Sequence, residues 1–180
     1  MSKKRSYQPL EREQFTQLPG PLHTLLELYD QERNAFRKVH RLIDALEWAV
    51  KWHTVLAVSD LLREAQLTPR MKVLLAGGLR TPSLGMWNLF FREAVAALGS
   101  PSVAFSQEER LVLLESKHQI VSFRNGYAHG ATPEEESCLA DCRKMEPVLL
   151  QLIGSTLFTE IDLGVCGPDG AHILKGVFQL

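Results

Sequence analysis

Between Glu32 and Ala65 the sequence keeps one rhythm: Phe36, Val39, Ile43, Leu46, Val50, His53, Ala57 and Asp60/Leu61 follow each other at three- and four-residue steps. A helix turns about 100° per residue, so these positions fall on one stripe of a single long amphipathic helix. A strand alternates with period two and cannot gather them on one face. A helix of that length with an apolar stripe must be covered along its length by other elements.

The rest of the chain supplies helical partners. Pro19-Gly20-Pro21 opens a short helix over about Leu22 to Gln31. Thr68-Pro69 caps another, with proline at the first helical position, and Gly77-Gly78 stops it. Thr81-Pro82-Ser83 starts a helix carrying Leu84, Trp87, Leu89, Phe90, Phe91, Val95 and Leu98, closed by Gly99-Ser100-Pro101. Ser106 with Glu109 reads as a capping box for a helix from Gln107 to about Tyr127. Thr132-Pro133-Glu134-Glu135 begins the last helix, with acidic residues where the helix dipole favours them, and it runs to about Gly154. Leu157 to Cys166 and Ala171 to Phe178 are β-prone runs around Gly167-Pro168-Asp169-Gly170, the pattern of a β-hairpin. The fold class expected is mainly α: an antiparallel helical bundle over residues 21–155 with a short C-terminal β-hairpin. A loose tail over 1–20 precedes the bundle. The hairpin tail, 156–180, ends in a strand-like run, as the front part of a longer protein would.

Charge and cysteines narrow the function classes. The formal net charge is −1, so the chain lacks the general basic excess of many nucleic-acid binders, and any RNA contact must come from a local patch or be brief. Cys138, Cys142 and Cys166 are odd in number. Met1-Ser2-Lys3-Lys4-Arg5 leads into polar residues rather than an apolar signal stretch. Both features fit a reducing, cytoplasmic setting. Cys138 and Cys142 share a helix face, but no second ligand pair with finger-like spacing follows, so small buried side chains are the better reading than zinc. No run reaches the roughly 18 apolar residues of a membrane span.

One segment carries chemistry. Residues 120–130 read Ile-Val-Ser-Phe-Arg-Asn-Gly-Tyr-Ala-His-Gly, with Arg124, Asn125 and His129 at the end of an amphipathic helix. An arginine followed by four residues and a histidine, with asparagine directly after the arginine, resembles the motif of the HEPN superfamily. The resemblance covers the motif closely and the helical layout of about 22–155 loosely. It implies a small helical bundle, commonly a dimer, and in many members metal-independent ribonuclease activity. Other members bind nucleotides or RNA, or serve as interaction modules.

The residue types suit that chemistry. Histidine titrates near neutral pH and can take or give the proton of a 2′-hydroxyl. Arginine stays charged and can hold a phosphate by two parallel hydrogen bonds, stabilising the pentacoordinate transition state. An asparagine amide can orient either partner. The products would be a 2′,3′-cyclic phosphate and a 5′-hydroxyl.

Geometry raises a difficulty. Arg124 and His129 stand about 140° apart on an undistorted helix. Either Gly126 loosens the helix, or a two-fold dimer brings Arg124 of one protomer towards His129 of the other. Glu115, His118, Ser122, Asn125 and His129 also share one stripe, with Glu115, His118 and Ser122 as candidate supporting residues. A solvated helix face is the simpler reading for Glu115 and His118; the motif supports function at Asn125 and His129. Arg124 has a structural ion pair as its alternative role, and Glu47, one step off the long helix's stripe, is placed to pair with it across the bundle. His53 reads as a hydrogen-bonded core histidine. Trp48, Trp52 and Trp87 read as core or interface rather than base-stacking platforms.

The expectation is therefore an endoribonuclease of HEPN type, with the resemblance adding a place in a toxin or defence system. The alternative is a non-catalytic HEPN-like dimerisation, adaptor or RNA-binding module. Expected partners are RNA, a second copy of the chain, and a regulatory protein or further domain; neither a membrane, a cofactor nor a metal is expected.

Overall fold

The computed structural model describes residues 18–64, 67–78, 80, 82–98, 113, 117–129, 133–154, 164–167 and 170–173. Six α-helices lie in this part: α1 (Gly20–Gln31), α2 (Ala35–Glu64), α3 (Pro69–Gly78), α4 (Leu84–Leu98), α5 (Ser122–Ala128) and α6 (Glu135–Ile153). A π-helical turn, Lys117–Val121, leads into α5. Two short strands, β1 (Gly164–Gly167) and β2 (Gly170–Ile173), pair antiparallel with Gly167 opposite Gly170 and Gly164 opposite Ile173. No helix among the described residues is long and apolar enough to cross a membrane.

Helix α2 is the axis of a helical bundle. It packs against α4, α6 and α1, and α3 joins through α4. Val39, Ile43, Leu46, Val50, His53, Ala57 and Leu61 are buried, as the periodicity predicts. Leu42, Ala45, Ala49 and Thr54 are buried as well. A helix covered on three sides buries a wider arc than one stripe, and small Ala side chains let neighbours approach. Phe36 is the exception. It was predicted to face the core and is 37% exposed, because it sits in the first turn of α2, where the covering of the bundle ends.

Local chemistry sets the helix ends. Asn34 Oδ1 accepts from Arg37 N at 3.0 Å and starts α2. Thr68 Oγ1 accepts from Met71 N at 3.1 Å, and Ser83 Oγ from Met86 N at 3.3 Å, so both sequence caps work. Helix α6 starts where the sequence placed it, within Pro133–Glu135. Its N-cap is Glu134, without a side-chain cap bond, and Glu135 and Glu136 supply the acidic first turn. Its Pro147 leaves the Arg143 carbonyl without a helical donor, on an exposed face where water can serve. Leu18 and Pro19, assigned by sequence to the loose tail, are buried against the bundle. At the end of α3, a Cβ on Gly78 would come within 2.5 Å of Phe90 Cζ and 2.6 Å of Met86 Cε, so the absence of a side chain sets how closely α3 approaches α4.

Cross-links between helices involve polar groups with partners, as buried polar groups must have. Tyr29 of α1 donates its hydroxyl to Glu146 of α6, and the Lys38 ammonium lies 4.6 Å over the Tyr29 ring. Asn88 of α4 donates to the Leu113 carbonyl at 2.7 Å, which ties the segment before α5 to the bundle. His53 Nδ1 lies 2.7 Å from the Ala49 carbonyl, the hydrogen-bonded core histidine that the sequence indicated. Cys138 and Cys142 are free and buried on one face of α6. The capping box at Ser106 and the start of its helix lie outside the described residues, as do residues 1–17 and the outer parts of both β-prone runs.

Candidate functional site

Helix α5 is held by its apolar side. Ile120, Phe123 and Tyr127 follow at three- and four-residue steps; Ile120 and Tyr127 are buried and Phe123 half-buried. Tyr127 is the main anchor. Its hydroxyl donates to Asp141 Oδ2 of α6 at 2.8 Å. Its ring meets Phe123 edge-on at 5.3 Å, His40 at 6.1 Å and Phe36 at 6.4 Å. Burial, and then the hydrogen bond donated to the Asp141 carboxylate, push the Tyr127 hydroxyl far above the usual phenol range. It is thus a neutral donor under ordinary conditions. With this side inward, Asn125, Ala128 and His129 are exposed and Arg124 is half-buried.

Arg124 reaches back across the bundle. Its Nε donates to Glu47 Oε1 of α2 at 3.2 Å, and its Nη1 to Asn125 Oδ1 at 3.3 Å. The second Glu47 oxygen accepts from Lys51 Nζ at 3.1 Å, one helical turn along α2. One carboxylate therefore sits between two cations. Arginine has five N–H donors; the bonds to Glu47 and Asn125 use two and fix the plane of the guanidinium. Among the described residues the other three remain for an anion, on a side chain that is 41% exposed. The structure thus brings together Arg124, Asn125 and Glu47 of the predicted site residues, and adds Lys51.

His129 stands apart from this group. It is the C-cap of α5, with φ −97° and ψ 23°, and is exposed. Among the described residues no hydrogen bond or ion pair joins it to Arg124, Asn125 or Glu47. Helix α5 runs unbroken through Gly126, where an added Cβ would meet nothing within 4 Å. Of the two routes the sequence left open, the loosening at Gly126 is not seen; α5 is regular to Ala128 and leaves helical geometry only at His129. Ser122 is exposed at the first position of α5. The step from His118 to Ser122 crosses the π turn, which inserts about one extra residue into a turn. The uniform 100° step on which the polar stripe was drawn does not hold through that turn. Glu115 lies outside the described residues.

Sequence reasoning missed Tyr127, although its spacing from Ile120 and Phe123 marked it as the buried member of the motif. It also missed Lys51, four residues after Glu47, and the row formed by Phe36 and His40, whose rings meet at 4.6 Å. Trp48 and Trp52, placed by sequence in core or interface, are half-buried and stacked with centroids 5.4 Å apart. Among the described residues no three His, Cys, Asp or Glu side chains are grouped to hold a metal ion. No family model matches the chain, and no curated protein or solved structure matches it.

Proposed function

We propose that this chain is a HEPN-like antiparallel bundle with a short C-terminal hairpin, and that it cuts RNA at Arg124, Asn125 and His129 as a metal-independent endoribonuclease. The observation that carries this reading is the state of Arg124. A guanidinium held at Nε by Glu47 and at Nη1 by Asn125 keeps, among the described residues, three donors for a phosphate, on the helix whose C-cap is the exposed His129. In the reaction the 2′-oxygen attacks the adjacent phosphorus, the proton of the 2′-hydroxyl passes to the His129 imidazole, and the bond to the 5′-oxygen breaks as that oxygen takes a proton from water to leave as the 5′-hydroxyl. Arg124 balances the charge that grows on the phosphoryl oxygens. The reaction requires no metal, since histidine moves the proton and arginine carries the charge.

Completing the site takes two copies. With α5 regular through Gly126, a two-fold dimer in which Arg124 and His129 of one site come from different protomers is the arrangement that serves this reading best. Light scattering over a concentration series should show a dimer; a monomer at high micromolar concentration removes the composite site. A role in a toxin or defence system, with a regulatory protein or further domain, comes with the resemblance.

One observation favours a second reading. Arg124 already has a carboxylate partner, as a structural arginine would, and a non-catalytic dimerisation, adaptor or RNA-binding module would keep it for that reason. Arg124→Lys separates the two. An ammonium can keep an ion pair with Glu47 but cannot reproduce the planar fork on a phosphate. The enzyme reading predicts a folded protein with activity down about 10²–10³-fold, and RNA with 2′-deoxy at the cleavage position left intact. Full activity in Arg124→Lys removes the phosphate role.

A further inference from the structure

Beside the Arg124 helix the structure has an open cavity of about 310 Å³ between the first turns of α2 and α6. Arg33, Asn34 and Phe36 line one side; Pro133, Glu135 and Cys138 line the other. Phe36 is the large aromatic that the helix pattern would bury and that the structure leaves 37% exposed. Its ring packs edge-on against His40 at 4.6 Å, and both rings approach Tyr127, which lies on α5 between Arg124 and His129. A row of rings thus runs from the cavity wall to Tyr127 on the buried side of α5, the helix that carries Arg124.

The flank of this row is basic. Arg33 and Arg37 are exposed and Arg41 is half-exposed; Arg37 and Arg41 each follow a ring of the row, Phe36 and His40, by one residue, about 100° round α2. Arg41 is paired with Asp44 at 3.9 Å, so the local positive charge beside the cavity is that of Arg33 and Arg37, the kind of charge that attracts a nucleic-acid backbone. The polar groups of the cavity suit a base edge. Asn34 spends its Oδ1 on the α2 cap, which leaves its amide N–H donors, and the Glu135 carboxylate accepts. A free anion drawn to the two helix starts fits poorly, because Glu135 and Glu136 occupy the first turn of α6. The volume lies at the lower end for small-ligand sites, enough for one flat ring system and too little for a duplex.

We infer that this cavity seats one unpaired nucleobase of a single-stranded RNA, stacked on Phe36, about two to three nucleotides along the strand from the phosphate at Arg124, since Phe36 and the Glu47 that holds Arg124 lie about 16 Å apart along α2. Arg33 and Arg37 hold the flanking phosphates. Single-stranded RNA is recognised in this manner, by splayed bases on aromatic rings with polar groups at their edges. The inference rests on the ribonuclease reading above and names how that site chooses its substrate.

The test uses the full chain and a short, labelled single-stranded 2′-O-methyl RNA, which lacks the nucleophile and cannot be cut. The RNA is intact, or has one abasic nucleotide moved stepwise along it. Phe36→Ala should weaken binding of the intact RNA roughly 5- to 150-fold, the effect of losing one stacked base. One abasic position should weaken binding to the wild type by a similar factor, and Phe36→Ala should no longer distinguish that RNA from the intact one. Phe36→Tyr should bind like the wild type, and Arg33→Gln should lower the salt slope by about one for all sequences. The abasic scan on the wild type stands even if Phe36→Ala misfolds. Wild-type binding that no abasic position weakens overturns the base site and leaves the Arg124 reading intact. A wild type that neither binds this RNA nor cuts unmodified RNA overturns both.

Discussion

Replacing Glu47 by alanine tests the link between bundle and site. The carboxylate accepts from Arg124 at 3.2 Å and Lys51 at 3.1 Å. Unit charges 4 Å apart attract by about 4 kcal/mol near a protein surface before solvent is counted. The Glu47 side chain is only 21% exposed, but its partners are 41% and 40% exposed, so water screens both pairs to a net of about 0.2–1 kcal/mol each. Glu47→Ala should therefore lower stability to urea by about 0.5–2 kcal/mol, and a cycle with Arg124→Ala should return a coupling of about 0.2–1 kcal/mol. The effect on RNA cleavage should be larger in proportion. Without its Nε bond the guanidinium samples more orientations, and misplacement of about 1 Å at a reacting group costs on the order of 10²-fold in rate. Glu47→Gln, which keeps an acceptor, should recover part of that loss. Coupling of zero with unchanged cleavage would refute the claim that Glu47 sets the arginine; a stability loss above about 3 kcal/mol would show that Glu47 serves the core instead.

Other outcomes follow from burial and local conformation. Leu46 is fully buried in the centre of α2, so Leu46→Ala should cost about 2–5 kcal/mol in chemical denaturation; a loss under about 0.5 kcal/mol contradicts the core assignment. Two glycines should respond with opposite signs in thermal melts: Gly126→Ala, with open space at its Cβ, should stabilise by about 0.4–1 kcal/mol, and Gly78→Ala, against Phe90 and Met86, should destabilise by about 1–3 kcal/mol. Burial raises the Cys142 thiol from 9.0 to about 11, and burial also raises the hydroxyls of Tyr29 and Tyr127. Each keeps its proton in the fold at a pH where the unfolded chain releases it, so this stability is fully present below about pH 9 and is lost as pH rises through about 11. A melting temperature that stays level or rises over that range contradicts the sign.

The sequence displayed the fold where one stripe meets one partner surface. The run from Val39 to Leu61 is legible because burial repeats with the helix, and Thr68 and Ser83 are legible because a hydroxyl cap needs only its own turn. Phe36 fits the same period yet is exposed, since periodicity says which face a residue shares and not where the covering helices stop. The π turn at Lys117–Val121 left no local signature, because a polar stripe drawn at even steps does not encode where the helical step changes. Within the site, the pairing of Glu47 with Arg124 was accessible because both flank apolar stripes that must face each other. The Tyr127–Asp141 bond depends on how α5 and α6 meet, which spacing along either helix does not encode.

The central claim is that Arg124 and His129 cut RNA by 2′-hydroxyl attack. The most direct measurement incubates the full chain and its His129→Ala variant with labelled single-stranded and transfer RNA in EDTA and identifies the new ends. His129 is exposed at the end of α5, so the variant should melt within about 0.5 kcal/mol of the wild type. The account predicts that the wild type leaves a 2′,3′-cyclic phosphate and a 5′-hydroxyl, and that the variant cuts about 10²–10⁴-fold more slowly. Equal cutting by both proteins, or intact RNA with the wild type, contradicts it.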